Sequence, residues 1–310
     1  MTLSSINNQE TLKIDLADKK LLFYLSQDSR WRRNALAKKL NVSVANLNYK
    51  IERLIRNKTI EPVLILNIPH FELKSYIILI EKIDELIKNT DSLYFFCQTM
   101  GKYKYIIHIV TENLNQFLQE NLANGVFEVF ELISYVPDNY NPFGLSINPF
   151  PNKKPRKMKL DTKDYKLLAY LCSNPLASIL QISSDTKLDR QTIKKRMQKL
   201  VDNYYIQKFR YILNIFKLGF SAYFLKINLT PNEKERIIHN SNVDSYSGFI
   251  FESYTSIIMW YIPPSHRELL SFINSIEKLS ANVKIEVMQI AEILNLTFLP
   301  KRVIDYFKEK

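Results

Sequence analysis

Leucines and isoleucines fall three and four positions apart through residues 16–54, and the same spacing returns 146 positions later. Leu21, Leu22, Leu25, Leu36, Leu47, Ile51, Leu54 and Ile60 align without a gap on Leu167, Leu168, Leu171, Ile182, Ile193, Met197, Leu200 and Ile206. Stripes of this period predict amphipathic helices. Asp15 and Asp161 stand where an N-cap is expected, and Asp18 and Asp164 fall in the first turn, where negative charge meets the positive end of the helix dipole. Leu36, Ala37 and Leu40 mark a short second helix, Asn41-Val42 a turn, and Ser43 the N-cap of a third; Asp189 takes that place in the second copy. Strands follow at 60–66 and 206–213, the first read as part of a wing hairpin. A repeat this long is a duplicated module, since solenoid periods run to roughly 20–50 residues.

Downstream of each three-helix segment the period changes. The first half reads as strand 75–80, a short helix near 84–88, strand 93–100, a turn at Gly101, strand 105–111, a helix carrying Leu114, Phe117, Leu118 and Leu122, and strand 126–135. The second half reads more loosely as strand 222–229, helix 233–239, strands 248–252 and 256–261, helix 266–279 and strand 283–291. The order βαββαβ is ferredoxin-like. A last amphipathic helix near 301–307 has no counterpart in the first half. Pro137, Pro142, Pro149, Pro151 and Pro155 make 137–159 a semi-rigid linker. The expected class is α+β, a tandem repeat of winged helix-turn-helix and ferredoxin-like domains. The expected boundaries are a flexible N-terminus at 1–12, heads at 13–68 and 160–217, sheet domains at 69–136 and 218–310, and the linker at 137–159.

Charge adds the first functional clue. The net charge is +12, and it is segregated. Residues 13–68 hold 12 basic and 5 acidic side chains, 141–159 hold 5 and none, and 160–217 hold 11 and 5. Residues 69–140 hold 5 and 10, and 218–310 hold 10 of each. The excess therefore sits on the repeated heads and the linker, the electrostatic footprint of nucleic-acid binding. Lys153, Lys154, Arg156, Lys157 and Lys159 of the linker could track a phosphate backbone or serve solubility alone.

Other chemistries are poorly supplied. Five glycines leave no phosphate-cradling loop. Cys97 and Cys172 are far apart in apolar stretches and read as buried, reduced thiols. His70, His108, His239 and His266 show no metal-ligand spacing. No metal, cofactor or catalytic residue is expected. No apolar run approaches the roughly 18 residues of a membrane span, and the N-terminus lacks an apolar signal core, so a cytoplasmic protein without a membrane partner is expected.

The outer faces of the two third helices carry the candidate contacts to double-stranded DNA. In the first copy these are Ser43, Asn46, Asn48, Tyr49, Lys50 and Arg53, with Arg30, Arg32 and Arg33 between the first and second helices. In the second they are Arg190, Gln191, Thr192, Lys194, Lys195, Arg196 and Lys199, with Lys208 and Arg210 on the following strand. Amides suit adenine edges, while arginine and lysine suit guanine edges and phosphates. The two heads are expected to read unequal half-sites.

The run Leu16-Ala17-Asp18-Lys19-Lys20-Leu21-Leu22, then Asp28-Ser29-Arg30, Leu36-Ala37-Lys38-Lys39-Leu40-Asn41-Val42-Ser43, Arg53-Leu54 and Ile60 resembles the DNA-binding signature of the Lrp/AsnC (leucine-responsive and asparagine-synthase regulator) family. In the second half Lys199-Leu200, Ile206 and Asn214 followed by Lys217-Leu218-Gly219-Phe220 resemble the end of that head and the entry to its sheet. The resemblance implies a sequence-specific transcription regulator, not an enzyme, whose ferredoxin-like domains dimerise and sense a small-molecule effector. It implies either a homodimer or an intramolecular pseudo-dimer. The family's Gly-x-Tyr-Asp effector turn corresponds to Gly101-Lys102-Tyr103-Lys104, with lysine in place of aspartate, and to Glu252-Ser253-Tyr254-Thr255, which lacks the glycine. Gly101 and Tyr103 are thus the effector-turn candidates, and assembly alone is the other role open to the sheets. Two alternative functions remain in view: an architectural DNA-binding protein, and a sirohaem-decarboxylase-like enzyme of related architecture.

Overall fold

A computed structural model describes residues 12–71, 73–85, 87, 91–136, 143, 157–239, 246–279, 283–297 and 299–310. Most of the linker, with Lys153, Lys154 and Arg156, lies outside the described residues. In chain order the first half contains Leu16–Gln27 (α1), Arg33–Leu40 (α2), Val44–Arg56 (α3), Ile60–Leu66 (β1), a 3-10 turn at Ile68–Phe71, Ser75–Lys82 (β2), Leu93–Met100 (β3), Tyr105–Val110 (β4), Leu114–Leu122 (α4) and Val126–Val136 (β5). The second half contains Thr162–Ser173 (α5), Ile179–Thr186 (α6), Arg190–Asp202 (α7), Ile206–Leu213 (β6), Tyr223–Asn228 (β7), Pro231–His239 (α8), Ser247–Ser253 (β8), Ser256–Tyr261 (β9), His266–Glu277 (α9), Lys284–Leu296 (β10) and Lys301–Glu309 (α10). Asp84 and Glu85 form a bend, not the start of the helix expected at 84–88, and residues 86 and 88–90 are not described.

The chain divides into two compact units. One gathers both heads and α10. The apolar stripes close each three-helix core, with Leu21, Leu22, Leu25, Leu36, Leu47 and Leu54 buried in the first and Leu167, Leu168, Leu171, Ile182, Ile193 and Leu200 in the second. The caps form where the sequence puts them. Asp15 accepts from the Asp18 N–H, Ser43 Oγ from Asn46, and Asp189 from Gln191 and Thr192. Asn41 and Lys187, 146 positions apart, both adopt the left-handed region that ends α2 and α6, as do Lys58 and Tyr204 after α3 and α7.

The strand after α3 does not fold back as a wing hairpin. Instead β1 pairs antiparallel with β6, in a register from Ile60↔Leu213 through Val63↔Arg210 and Leu64↔Phe209 to Leu66↔Ile206. Because Val63 and Leu64 correspond to Phe209 and Arg210 in the repeat, the pairing is isologous about a pseudo-twofold axis at that point. Two apolar strands, each lacking a tight turn to a second strand of its own, satisfy their backbone groups on each other. The helices then reach across: α1 packs on β6, and the Ser29 N–H donates to the Phe209 carbonyl at 2.7 Å. The equivalent of Ser29 is Pro175, which has no N–H to return the bond. Its carbonyl accepts instead from Arg30 Nη2 at 3.0 Å, while the Arg30 guanidinium lies 4.2 Å over the Phe209 ring. Helix α10 packs on α5 in this unit, setting Phe307 against Phe71 and Tyr165, and the Tyr306 hydroxyl donates to the Phe71 carbonyl.

The other unit is an eight-stranded closed barrel, in the order β10-β3-β4-β2-β5-β8-β9-β7. Within the first half the strand order is β3-β4-β2-β5, within the second β8-β9-β7-β10, the antiparallel arrangement of a ferredoxin-like sheet. The halves join edge to edge through β5–β8 and β10–β3, so neither sheet keeps an open edge. Alternation sends one face of each sheet to helices. Ile78, Ile80, Ile107 and Ile109 pack with Phe117 of α4, and Leu225, Ile227, Ile257 and Met259 pack with Leu269 and Phe272 of α9. The opposite faces meet inside the barrel. Phe95, His108, Phe224, Phe251 and Trp260, contributed by β3, β4, β7, β8 and β9, form a continuous set of ring contacts. Lys226, the counterpart of Leu79 by strand register, is buried here with Nζ at 2.7 Å from Glu128, 2.8 Å from Glu286 and 3.1 Å from the Tyr103 hydroxyl. Burial acts to neutralise this ammonium, but its bonds to Glu128, Glu286 and Tyr103 outweigh that and hold its pKa above the ordinary lysine range. Cys97 is buried and Cys172 half-buried, both unpaired, and burial pushes both thiols up.

Burial pushes the His108 imidazole from its ordinary 6.5 down to about 3. Its Nε2 lies 2.7 Å from Ser75 Oγ, and the ring stacks on Tyr94. The unfolded chain takes up a proton as pH falls through 6.5 that the folded chain refuses until about 3, so stability is full above that window and is lost through it. Denaturant midpoints should therefore drop between about pH 7 and about pH 5. His108→Asn, which retains a polar partner for Ser75, should lower the starting stability but flatten the pH dependence.

Candidate nucleic-acid interface

The outer face of α7 is the most cationic helical surface among the described residues. Arg190, Gln191, Lys194, Lys195 and Lys199 are exposed, and none of the four cations pairs with a carboxylate among the described residues. Thr192 is half-buried beside the Asp189 cap. On α3 the exposed face carries Asn46 and Tyr49, the latter 65% exposed, with Asn48 half-buried and Ser43 exposed at the N-cap. Arg32 is exposed and Arg33 half-buried at the start of α2.

Several of the expected contacts are committed elsewhere. Lys50 Nζ is 2.7 Å from Asp18 and 3.8 Å from Asp15, and Arg53 Nη2 is 3.3 Å from Asp18. In the second head Arg196, at the position of Lys50, puts Nη1 2.7 Å from both Asp161 and Asp164. Asp18 and Asp164 are buried, so each carboxylate depends on these cations for compensation. The Arg196 guanidinium in turn holds Asp161 below the usual carboxylate range. The acids at the head of each repeat therefore clamp the first helix to the third. The sequence signal was available in the exact recurrence of acid and base, Asp18 with Lys50 and Asp164 with Arg196, 32 apart in both copies.

Two further expectations are corrected outright. Arg210 is 2% exposed and Lys208 8%, because their strand pairs with β1 and is covered by α1, so neither presents its charge as a free wing would. Arg30 is half-buried and bridges the heads through Pro175 and Phe209. In the barrel unit, Gly101 turns the chain with φ +133°, a conformation glycine favours, while Tyr103 is fully buried against Lys226 and Glu128. Tyr103 is part of the barrel's polar knot, and its hydroxyl is occupied there. Among the described residues no His, Cys, Asp and Glu group could hold a metal ion, and no helix is long and apolar enough to cross a membrane.

Residues 14–61 and 160–207 each match the winged helix-turn-helix DNA-binding family. Each head has that family's three-helix arrangement, with the strand that follows paired across the repeat. The chain resembles the Lrp/AsnC regulators in tandem form, two head-and-sheet copies in one polypeptide. An uncharacterized HTH-type transcriptional regulator of Pyrococcus abyssi is 28% identical over 140 residues, covering 44% of this chain and 95% of that protein. The crystal structure of the siroheme decarboxylase NirDL matches with a TM-score of 0.60 at 10% identity, covering 94% of this chain and 96% of that one. That likeness establishes a shared fold. The leucine response regulatory protein LrpA of Mycobacterium tuberculosis matches 46% of this chain and 97% of its own, at 23% identity and a TM-score of 0.35.

The clamp predicts a contrast within one helix. Arg196→Ala leaves the buried Asp164 carboxylate uncompensated and should destabilise the heads by about 2 kcal/mol, less than a fully buried pair because the arginine is partly exposed. Lys194→Ala, two residues earlier on the exposed face of the same helix, should change stability by less than about 0.5 kcal/mol. Thermal unfolding of the two variants checks this, and Arg196→Lys should recover part of the loss.

Proposed function

We propose that the protein is a sequence-specific DNA-binding transcription regulator, and not an enzyme, whose two unequal heads engage one duplex as an intramolecular pseudo-dimer. The observation that carries the reading is the isologous pairing of β1 with β6. It relates α3 and α7 by a pseudo-twofold axis, as the two reading helices of a dimer are related on an inverted repeat. The free cations of α7, the exposed amide and tyrosine of α3, and the regulator-like relative all support it. The direct contacts are Arg32, Arg33, Ser43, Asn46, Asn48 and Tyr49 from the first head and Arg190, Gln191, Thr192, Lys194, Lys195 and Lys199 from the second. Lys50, Arg53 and Arg196 act through the positions of α3 and α7. The barrel joins the two halves of the chain, and any effector it senses would act by changing that junction.

Half-sites about one helical turn apart are expected, and affinity should fall with salt at a logarithmic slope of about −5, roughly 0.9 per neutralised phosphate. Footprinting at moderate salt tests this. A discrete protected site supports the regulator; continuous coverage without base preference would instead favour an architectural role.

The whole-chain likeness to a siroheme decarboxylase supports a second reading, a tetrapyrrole-processing enzyme. Among the described residues the histidines do not converge on one site: His108 fills the barrel interior, His70 lies half-buried against Tyr205 in the unit of the heads, and His266 is exposed at the start of α9. Titration with haem and sirohaem separates the readings, since the regulator should give no saturable shift in their absorbance.

A further inference from the structure

Resting on the regulator reading, we propose that the DNA site is a hybrid inverted repeat, with an A·T half beneath α3 and a guanine-containing half beneath α7. The argument compares equivalent positions in the first turns of the two helices, the part that reaches base edges in helix-turn-helix docking. Val44, Ala45, Asn46 and Tyr49 of α3 are all exposed, and none carries a charge. An asparagine amide pairs with adenine N6 and N7, and small apolar groups pack on the thymine methyl. The only cation in the middle of that helix, Lys50, is turned back onto Asp18.

The equivalent positions of α7 are Arg190, Gln191, Thr192 and Lys195, with Lys194 in place of Asn48. Arg190, Lys194 and Lys195 are exposed and carry no ion pair among the described residues. Arginine and lysine donate to guanine O6 and N7, which present two acceptors and no donor. The inward stripes of the two helices coincide and their caps form alike, so the same backbone presents two different sets of donors. One polypeptide then reads two chemically distinct halves at a spacing fixed by the β1–β6 pair.

Selection of bound sequences from random duplexes, using the full chain, tests this. The expected result is a two-part site with one A·T half and one guanine-containing half. Asn46→Ala should reduce discrimination in the A·T half alone by about tenfold, and Arg190→Ala with Lys194→Ala should do so in the other half alone. The double variant should leave the salt slope nearly unchanged, because a cation that reads a base edge neutralises no phosphate. A transplant gives the converse: Val44→Arg, Ala45→Gln, Asn46→Thr, Asn48→Lys and Tyr49→Lys together should make the two selected halves alike. Two like halves selected by the unaltered chain, or variants that affect both halves equally, would overturn the hybrid site while leaving the regulator intact. Failure to select any sequence would remove both.

Discussion

The antiparallel pair β1–β6 is the contact on which the arrangement of the heads depends. Each strand belongs to a different repeat, and each offers a row of backbone donors and acceptors for which the other is the paired strand. Joining them makes the two heads one compact body. It also explains why basic residues of β6 are buried: a strand used to hold two domains together has no face left for phosphates. Arg30 follows the same logic. Its guanidinium is held by a carbonyl and an aromatic ring from the second repeat, so it works as a bridge between the heads.

The barrel repeats this solution on a larger scale. Two four-stranded sheets, each with helices on one face, bury their other faces against one another and close both edges through β5–β8 and β10–β3. The inner faces are not copies. Leu79 of β2 corresponds to Lys226 of β7, and the ammonium reaches Glu128 of one half and Glu286 of the other. Lys102 adds a second cation at Glu128, 3.3 Å from its carboxylate and 3.1 Å from Glu81, so the first half's carboxylate is shared by one lysine from each half.

Much of the architecture was legible from spacing alone. The helices of both heads, their Asp15, Ser43, Asp161 and Asp189 caps and most strands depend on local periodicity and side-chain-to-backbone bonds a few residues apart. What escaped was non-local. An apolar strand such as 60–66 announces that it needs a partner but not that the partner lies 146 residues on. Lys208 and Arg210 looked solvent-facing because charge usually is, and only the strand pairing reveals otherwise. Asp18 and Asp164 looked like ordinary first-turn acids. Their pairing with Lys50 and Arg196 required knowing which side of the third helix meets the first, a matter of tertiary geometry.

Covalent duplication changes what such a protein can evolve. In a homodimer, any substitution on the reading helix alters both half-sites at once, and any substitution at the twofold axis meets itself. Here each is free. Ser29 could keep a backbone donor while its counterpart became Pro175, because the lost bond was offset by Arg30 on the other side only. Positions that must serve the fold in both copies, the apolar stripes and the acid–base clamps, stayed chemically equivalent. Positions facing outward, Asn46 against Thr192 and Tyr49 against Lys195, did not. Differences at the strand pair and in the barrel, such as Leu64 against Arg210 and Leu79 against Lys226, show the same release: in one polypeptide an interface position need not be compatible with a copy of itself.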